Sequence, residues 1–200
     1  MQLSDRAKEL IPKARIVSFA GWEERLPATV IEAFQAADNE FRFLCDDAIR
    51  SIEADLEEGG ALNALDPTKL HLSRQFRDLA STIVTEARGQ VLIDFPGITG
   101  SGGDLYPKHR AEACWRDFWQ FLRCVSYGLA GNSSGYLSQE GLGYMALLYE
   151  ELQVPLPAMV VGIRALAIAS CTHCQPAHEN DLTDIINENF SPLIAALEAF

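Results

Sequence analysis

The sequence predicts an all-α protein folded as one domain. Apolar residues recur at helical spacing along most of its length, and cap or stop residues stand at the borders of those stretches. Strand signals are few, the best being one short run without a hairpin partner. At 200 residues and 48% hydrophobic composition, one sizeable core can be buried and no second domain is required.

Residues 28 to 44 (ATVIEAFQAADNEFRFL) place Val30, Ile31, Phe34, Ala37 and Phe41 on one stripe behind Pro27, which predicts an amphipathic helix. From Cys45 onward, Asp46 or Asp47 offers an N-cap, Ile49, Ile52 and Leu56 form a stripe, and Gly59-Gly60 is a stop. Asp66-Pro67 is a cap with a first-turn proline, followed by Leu70, Phe76, Leu79, Ile83 and Val84 in one long helix or two short ones. Gln90 to Phe95 (QVLIDF) is the one strand candidate, and the glycine- and proline-dense stretch Phe95 to Pro107 predicts irregular backbone. That stretch lacks the Lys-Ser/Thr ending of a phosphate loop. Lys108 to Ala130, Ser138 to Leu152, Ala158 to Ser170 and Asn180 to Phe200 complete the predicted helices, with Pro155 and Pro157 closing the second of these.

Charge excludes one class of partner. With 28 Asp and Glu against 16 Lys and Arg, a net charge of −12 leaves no basic face for nucleic-acid phosphates. No apolar run approaches the roughly 20 residues of a membrane span, and the start lacks the basic and apolar regions of a secretory signal, so a cytoplasmic protein is expected. Cys45, Cys114, Cys124, Cys171 and Cys174 are scattered and odd in number, as suits free thiols in a reducing compartment. Cys171 and Cys174, with His173 and His178, hold only half of a zinc pattern, so no metal is expected. No Ser-His-Asp order, nucleotide loop or pair of catalytic carboxylates points to an enzyme.

Arg110, Cys114 and Asp117 stand four and three residues apart, so they project from neighbouring turns on one face of the predicted helix. Taken alone, Cys114-Trp115-Arg116-Asp117 reads as an ordinary Arg116–Asp117 surface ion pair beside a buried cysteine, and only its surroundings single it out.

The stretch Gly102 to Leu166 resembles the phycobiliprotein family, allophycocyanin-type subunits in particular. The residues that carry the resemblance are Cys114-Trp115-Arg116-Asp117, Phe121-Leu122-Arg123, Tyr127 with Ala130-Gly131, and Leu152-Gln153-Val154-Pro155. Looser similarity runs over residues 28 to 200, whereas Met1 to Leu26 is an extension without a counterpart. The resemblance implies a globin-like fold in which residues 28 to 44 pair with a second copy or another subunit, hiding Val30, Phe34 and Phe41. It implies a phycobilin, a linear tetrapyrrole of the phycocyanobilin type, joined by a thioether to Cys114. Asp117 would accept hydrogen bonds from the pyrrole N–H groups, Arg110, Lys108 and Arg116 would meet the two propionates, and Trp119 and Tyr127 would line the pigment.

None of His71, His109, His173 and His178 matches a proximal haem ligand. The function implied is light harvesting in a photosynthetic cell, at the thylakoid surface. A second function also fits, that of a colourless or transiently bilin-binding globin acting in tetrapyrrole metabolism, regulation or photosynthetic assembly. Visible absorption by protein from its host separates the two.

Overall fold

The computed structural model describes residues 3–59, 64–174 and 182–200, and their regular structure is helical apart from one isolated bridge between Val17 and Leu137. The helices are α1 (Asp5–Leu10), α2 (Ala28–Asn39), α3 (Asp46–Glu58), α4 (Pro67–Asp78), α5 (Ala80–Asp94), α6 (Lys108–Ala130), α7 (Gln139–Leu152), α8 (Leu156–His173) and α9 (Thr183–Glu198), with a 3-10 turn at Trp22–Glu24.

Local signals set most borders. The Asp66 carboxylate accepts from the backbone N–H groups of Thr68 at 2.8 Å and Lys69 at 3.3 Å, and Pro67 fills the first turn of α4. Ser138 caps α7 through Gly141 N at 3.0 Å. Cys45, not Asp46 or Asp47, occupies the cap of α3. The two aspartates sit in the first turn, where the helix dipole favours their charge, and Asp46 also pairs with Arg77 at 2.9 Å. The run after Asp66 resolves into two helices, broken at Leu79. The strand expected at Gln90 to Phe95 is instead the end of α5. Val91 is buried and Ile93 is 71% exposed there, a helical alternation that overrides β-branched content. Gly60 and the expected start of α9 at Asn180 lie outside the described residues.

Helix α6 is the central element. Every residue from Phe121 to Ala130 is buried, enclosed by α4, α5, α8 and α9. Gly162 of α8 permits the closest approach, since a Cβ there would lie 2.0 Å from Cζ of Phe118. Among the described residues, α8 alone has the length and apolarity of a membrane span, and half of it is buried in this core.

The N-terminal segment corrects the pairing argument. Residues 3 to 26 fold back on the same chain. Ser18 N donates to Tyr136 O at 2.9 Å, Ser138 N to Ile16 O at 2.8 Å, and Trp22 Nε1 to Gly135 O at 3.3 Å. The Trp22 indole lies so tightly on Gly131 that a Cβ there would meet it at 2.2 Å. Phe19 and Trp22 pack on Phe34 with ring centroids 5.7 and 5.1 Å away. Val30 and Phe34 are therefore wholly buried within one chain and need no second subunit to cover them, whereas Phe41 is 51% exposed. Helix α2 also stops at Asn39, short of Leu44, because Phe41 turns left-handed (φ 53°) while Arg42 N bonds Ala37 O at 3.1 Å.

Candidate functional site

A groove of about 560 Å³ opens between α6, α7 and the segment 3–17. Three turns of α6 supply its floor, with Arg110, Cys114, Asp117 and Phe121 on the shared face that their spacing predicts. Leu148, Tyr149 and Leu152 of α7 form one wall, and Ile11, Ala14 and Val17 contribute to the other. The lining is mainly apolar with a few convergent polar groups, the usual character of a small-molecule site.

The Cys114 thiol is buried, and desolvation pushes its pKa up to about 12. The Asp117 charge adds to this rise and Arg110 opposes it. Cys114 is thus a protonated thiol in this state. Burial also lifts the Asp117 carboxyl to about 6, against the pull of the Tyr149 hydrogen bond and of Arg116. Tyr149 Oη donates to Asp117 Oδ2 at 2.8 Å, and Oδ1 accepts no hydrogen bond among the described residues. A carboxylate held this way retains an acceptor and lacks a full countercharge.

The other expected residues divide. Arg116 lines the groove with its side chain exposed. Arg110 lines it too, yet its guanidinium is committed to backbone carbonyls: Nε to Asp104 O at 3.1 Å, and one amino group to Leu152 O at 3.1 Å and Gln153 O at 2.9 Å. It caps carbonyls that the last turn of α7 leaves open. Lys108 points to solvent, paired with Glu112 at 3.4 Å, and is not among the lining residues. Trp119 is stacked edge-on against Phe43 at 5.6 Å, outside the groove. Tyr127 is fully buried behind it, donating to Arg42 O at 2.5 Å and accepting from Arg123 at 2.8 Å. The structure therefore brings Cys114, Asp117, Arg116 and Arg110 together and sets Lys108, Trp119 and Tyr127 apart.

Sequence reasoning missed a second polar group at the groove. Asp38 of α2 is buried and receives two arginines, Arg123 at 2.7 Å and Arg15 at 2.5 Å. Burial opposes the charge of Arg123, yet Cys124, Tyr127 and Asp38 together raise its pKa above the ordinary value. Asp38 and Arg123 carry the one available signal, charges set among apolar helical positions. Arg15 carries none, since its partner is 23 residues away. Tyr149 reads as ordinary core until α7 is laid against α6. Cys171 and Cys174 stand at the far end of α8, away from the groove lining, and His178 is outside the described residues.

Residues 32–197 match the family described as phycobilisome protein. Allophycocyanin subunit beta-18 of Pyropia yezoensis is 31% identical over 163 residues, covering 78% of this chain and 88% of the relative. The allophycocyanin alpha chain of Thermosynechococcus vestitus is 26% identical over 145 residues, 72% and 86% of the two chains. The C-phycocyanin beta chain of Pyropia yezoensis is 28% identical over 164 residues, 82% and 88% of the two chains.

Proposed function

The chain belongs to the phycobilisome protein family, with its all-α, globin-like fold, and from that premise we propose that it binds a bilin for light harvesting or energy transfer. The observation that carries this reading is the pairing, on one groove face, of the Cys114 thiol with an incompletely neutralised carboxylate three residues on. A linear tetrapyrrole of the phycocyanobilin type, when bound, supplies the conjugated chain that absorbs visible light.

The chain's own residues supply the setting. Cys114 is the thioether attachment point. Asp117, aimed by Tyr149, balances a cationic row of pyrrole N–H donors that its own neighbours leave unmatched. Arg116 faces a propionate, and the apolar walls exclude water and restrict torsion. No bond-making chemistry beyond attachment is assigned to the chain. Pairing with a second copy or another subunit falls to the outer face of residues 28–44, on the side away from the groove. The cellular place that goes with the reading is the cytoplasmic surface of the thylakoid.

The reading is tested by protein purified from its host. A bilin absorption band and a zinc-fluorescent covalent band on a denaturing gel support it, and their absence from folded protein overturns it. One observation favours a second reading, a colourless or transient binder: the Cys114 thiol is buried and protonated, so attachment requires a catalyst or an opened groove.

A further inference from the structure

The charge lining the groove is opposite in sense to the charge of the chain. The protein carries 28 acidic side chains against 16 basic ones. The groove is lined by four arginines (Arg15, Arg110, Arg116 and Arg123) and by only three carboxylates (Asp38, Glu112 and Asp117). Arginine concentrated in one cleft of an acidic protein favours an anionic group on the ligand.

The arginines are not equally available. Arg110 is spent on the carbonyls of Asp104, Leu152 and Gln153. Arg123 has a side chain only 4% exposed and gives its donors to Gln120, Asp38 and Tyr127. Arg15 differs. It bonds through one amino nitrogen alone, to Asp38 O at 2.9 Å, Asp38 Oδ2 at 2.5 Å and Asn39 Oδ1 at 3.4 Å. Its Nε and second amino group make no hydrogen bond among the described residues, and the side chain is 34% exposed. The Phe41 ring lies 4.6 Å from the guanidinium carbon and holds the plane while leaving its edge open. Asp38 cannot neutralise both arginines, so the cluster keeps one positive charge.

An oriented guanidinium with unpaired N–H groups on two of its nitrogens, at the side of an apolar groove, is a receptor for one carboxylate oxygen. We propose that Arg15 anchors a carboxylate of the groove's ligand, with Asp38 orienting it, so that the N-terminal segment is part of the binding site. Residues 3–17 precede the family match at 32–197, and the anchor is therefore a property of this chain's extension. The inference rests on the pigment reading and names a residue for one of the ligand's acid groups.

The test uses the full-length chain, titrated with phycocyanobilin and with its dimethyl ester and followed by absorbance. Wild type binds the diacid more tightly than the ester. Arg15→Gln lowers affinity for the diacid about tenfold and leaves the ester unchanged, because one charge-assisted contact is lost. Arg15→Lys restores part of the difference, keeping the charge but not the planar guanidinium that Asp38 orients. Equal weakening of both pigments, or of neither, overturns the inference while the pigment reading stands. Wild-type protein that binds neither pigment overturns both. If Arg15→Gln fails to fold, Arg15→Lys carries the comparison, with a smaller loss still confined to the diacid expected; a loss shared by the ester overturns the inference.

Discussion

The phenol of Tyr149 donates a 2.8 Å hydrogen bond to Oδ2 of Asp117 and so ties α7 to the groove face of α6. This bond pulls the Asp117 pKa down while burial lifts it to about 6. Tyr149→Phe is expected to raise the Asp117 titration further and to lower stability at neutral pH by about 1 to 2 kcal/mol. Carbon-13 NMR of the carboxyl group reads the first effect, and an unchanged or lowered titration would dismiss Tyr149 from the electrostatics.

The pH dependence of the pigment-free protein follows with a definite sign. Asp117 titrates near 6 when folded and near its ordinary 3.8 when unfolded, so the folded state holds the proton more tightly between those values. Stability therefore falls as pH rises from about 4 to about 7, by at most about 2 to 3 kcal/mol. Asp117→Asn removes that slope. Urea midpoints at both ends of the window decide the matter, and parallel curves for wild type and variant would refute it. With pigment attached, Asp117→Asn keeps the covalent mass but weakens and blue-shifts the long-wavelength band; an identical spectrum would take Asp117 out of the mechanism.

Thiol labelling should separate the cysteines. Burial pushes Cys114, Cys124 and Cys174 each up to about 12, leaving a thiolate fraction on the order of 1 in 10,000 at pH 8. Cys45 is exposed. Iodoacetamide is expected to modify Cys45 first, and Cys114 only after denaturant, as read by mass spectrometry. Cys114→Ala should lose covalent pigment at a stability cost of about 1 kcal/mol. Covalent pigment persisting in that variant would move the attachment to another cysteine.

Asp38→Ala leaves Arg123 buried without its carboxylate. The expected loss is about 3 to 5 kcal/mol in a denaturant titration, and a loss below about 1 kcal/mol would show that the cluster contributes little to the fold.

Gly141→Ala puts a methyl group 1.8 Å from Arg15 O, where backbone must move to admit it. The segment 3–17 is expected to lift from α7, becoming the first site of limited proteolysis, with a stability loss of about 1 to 3 kcal/mol or more. Proteolysis unchanged from wild type would show that the contact is soft.

What the sequence made legible was what local chemistry decides. Asp66 before Pro67, the stripe of α6 and the shared face of Arg110, Cys114 and Asp117 each follow from spacing within a turn or two. The run Gln90 to Phe95 misled because β-branched residues fit a strand as well as the last turn of a half-exposed helix. Trp119 and Tyr127 share α6 with Cys114, but their stripe does not say that Phe43 and Arg42 take up their faces. Arg15 and Tyr149 were invisible as site residues because their partners come from other elements, and Asp38 showed only as a charge among apolar helical positions. Val30 and Phe34 looked in need of another subunit only because nothing in Met1 to Leu26 announces that it folds back.

That folding back has a consequence for synthesis. Trp22 finds its acceptor 113 residues later in the chain, and Ser4 bonds Glu151 across 147. Contacts so distant in sequence close slowly and late. While the chain grows on the ribosome, Phe19 and Trp22 have no Gly131 or Gly135 to dock on, and the cover over Val30 and Phe34 is incomplete. The nascent protein thus exposes an apolar helix until the segment around Gly131 and Gly135 has emerged.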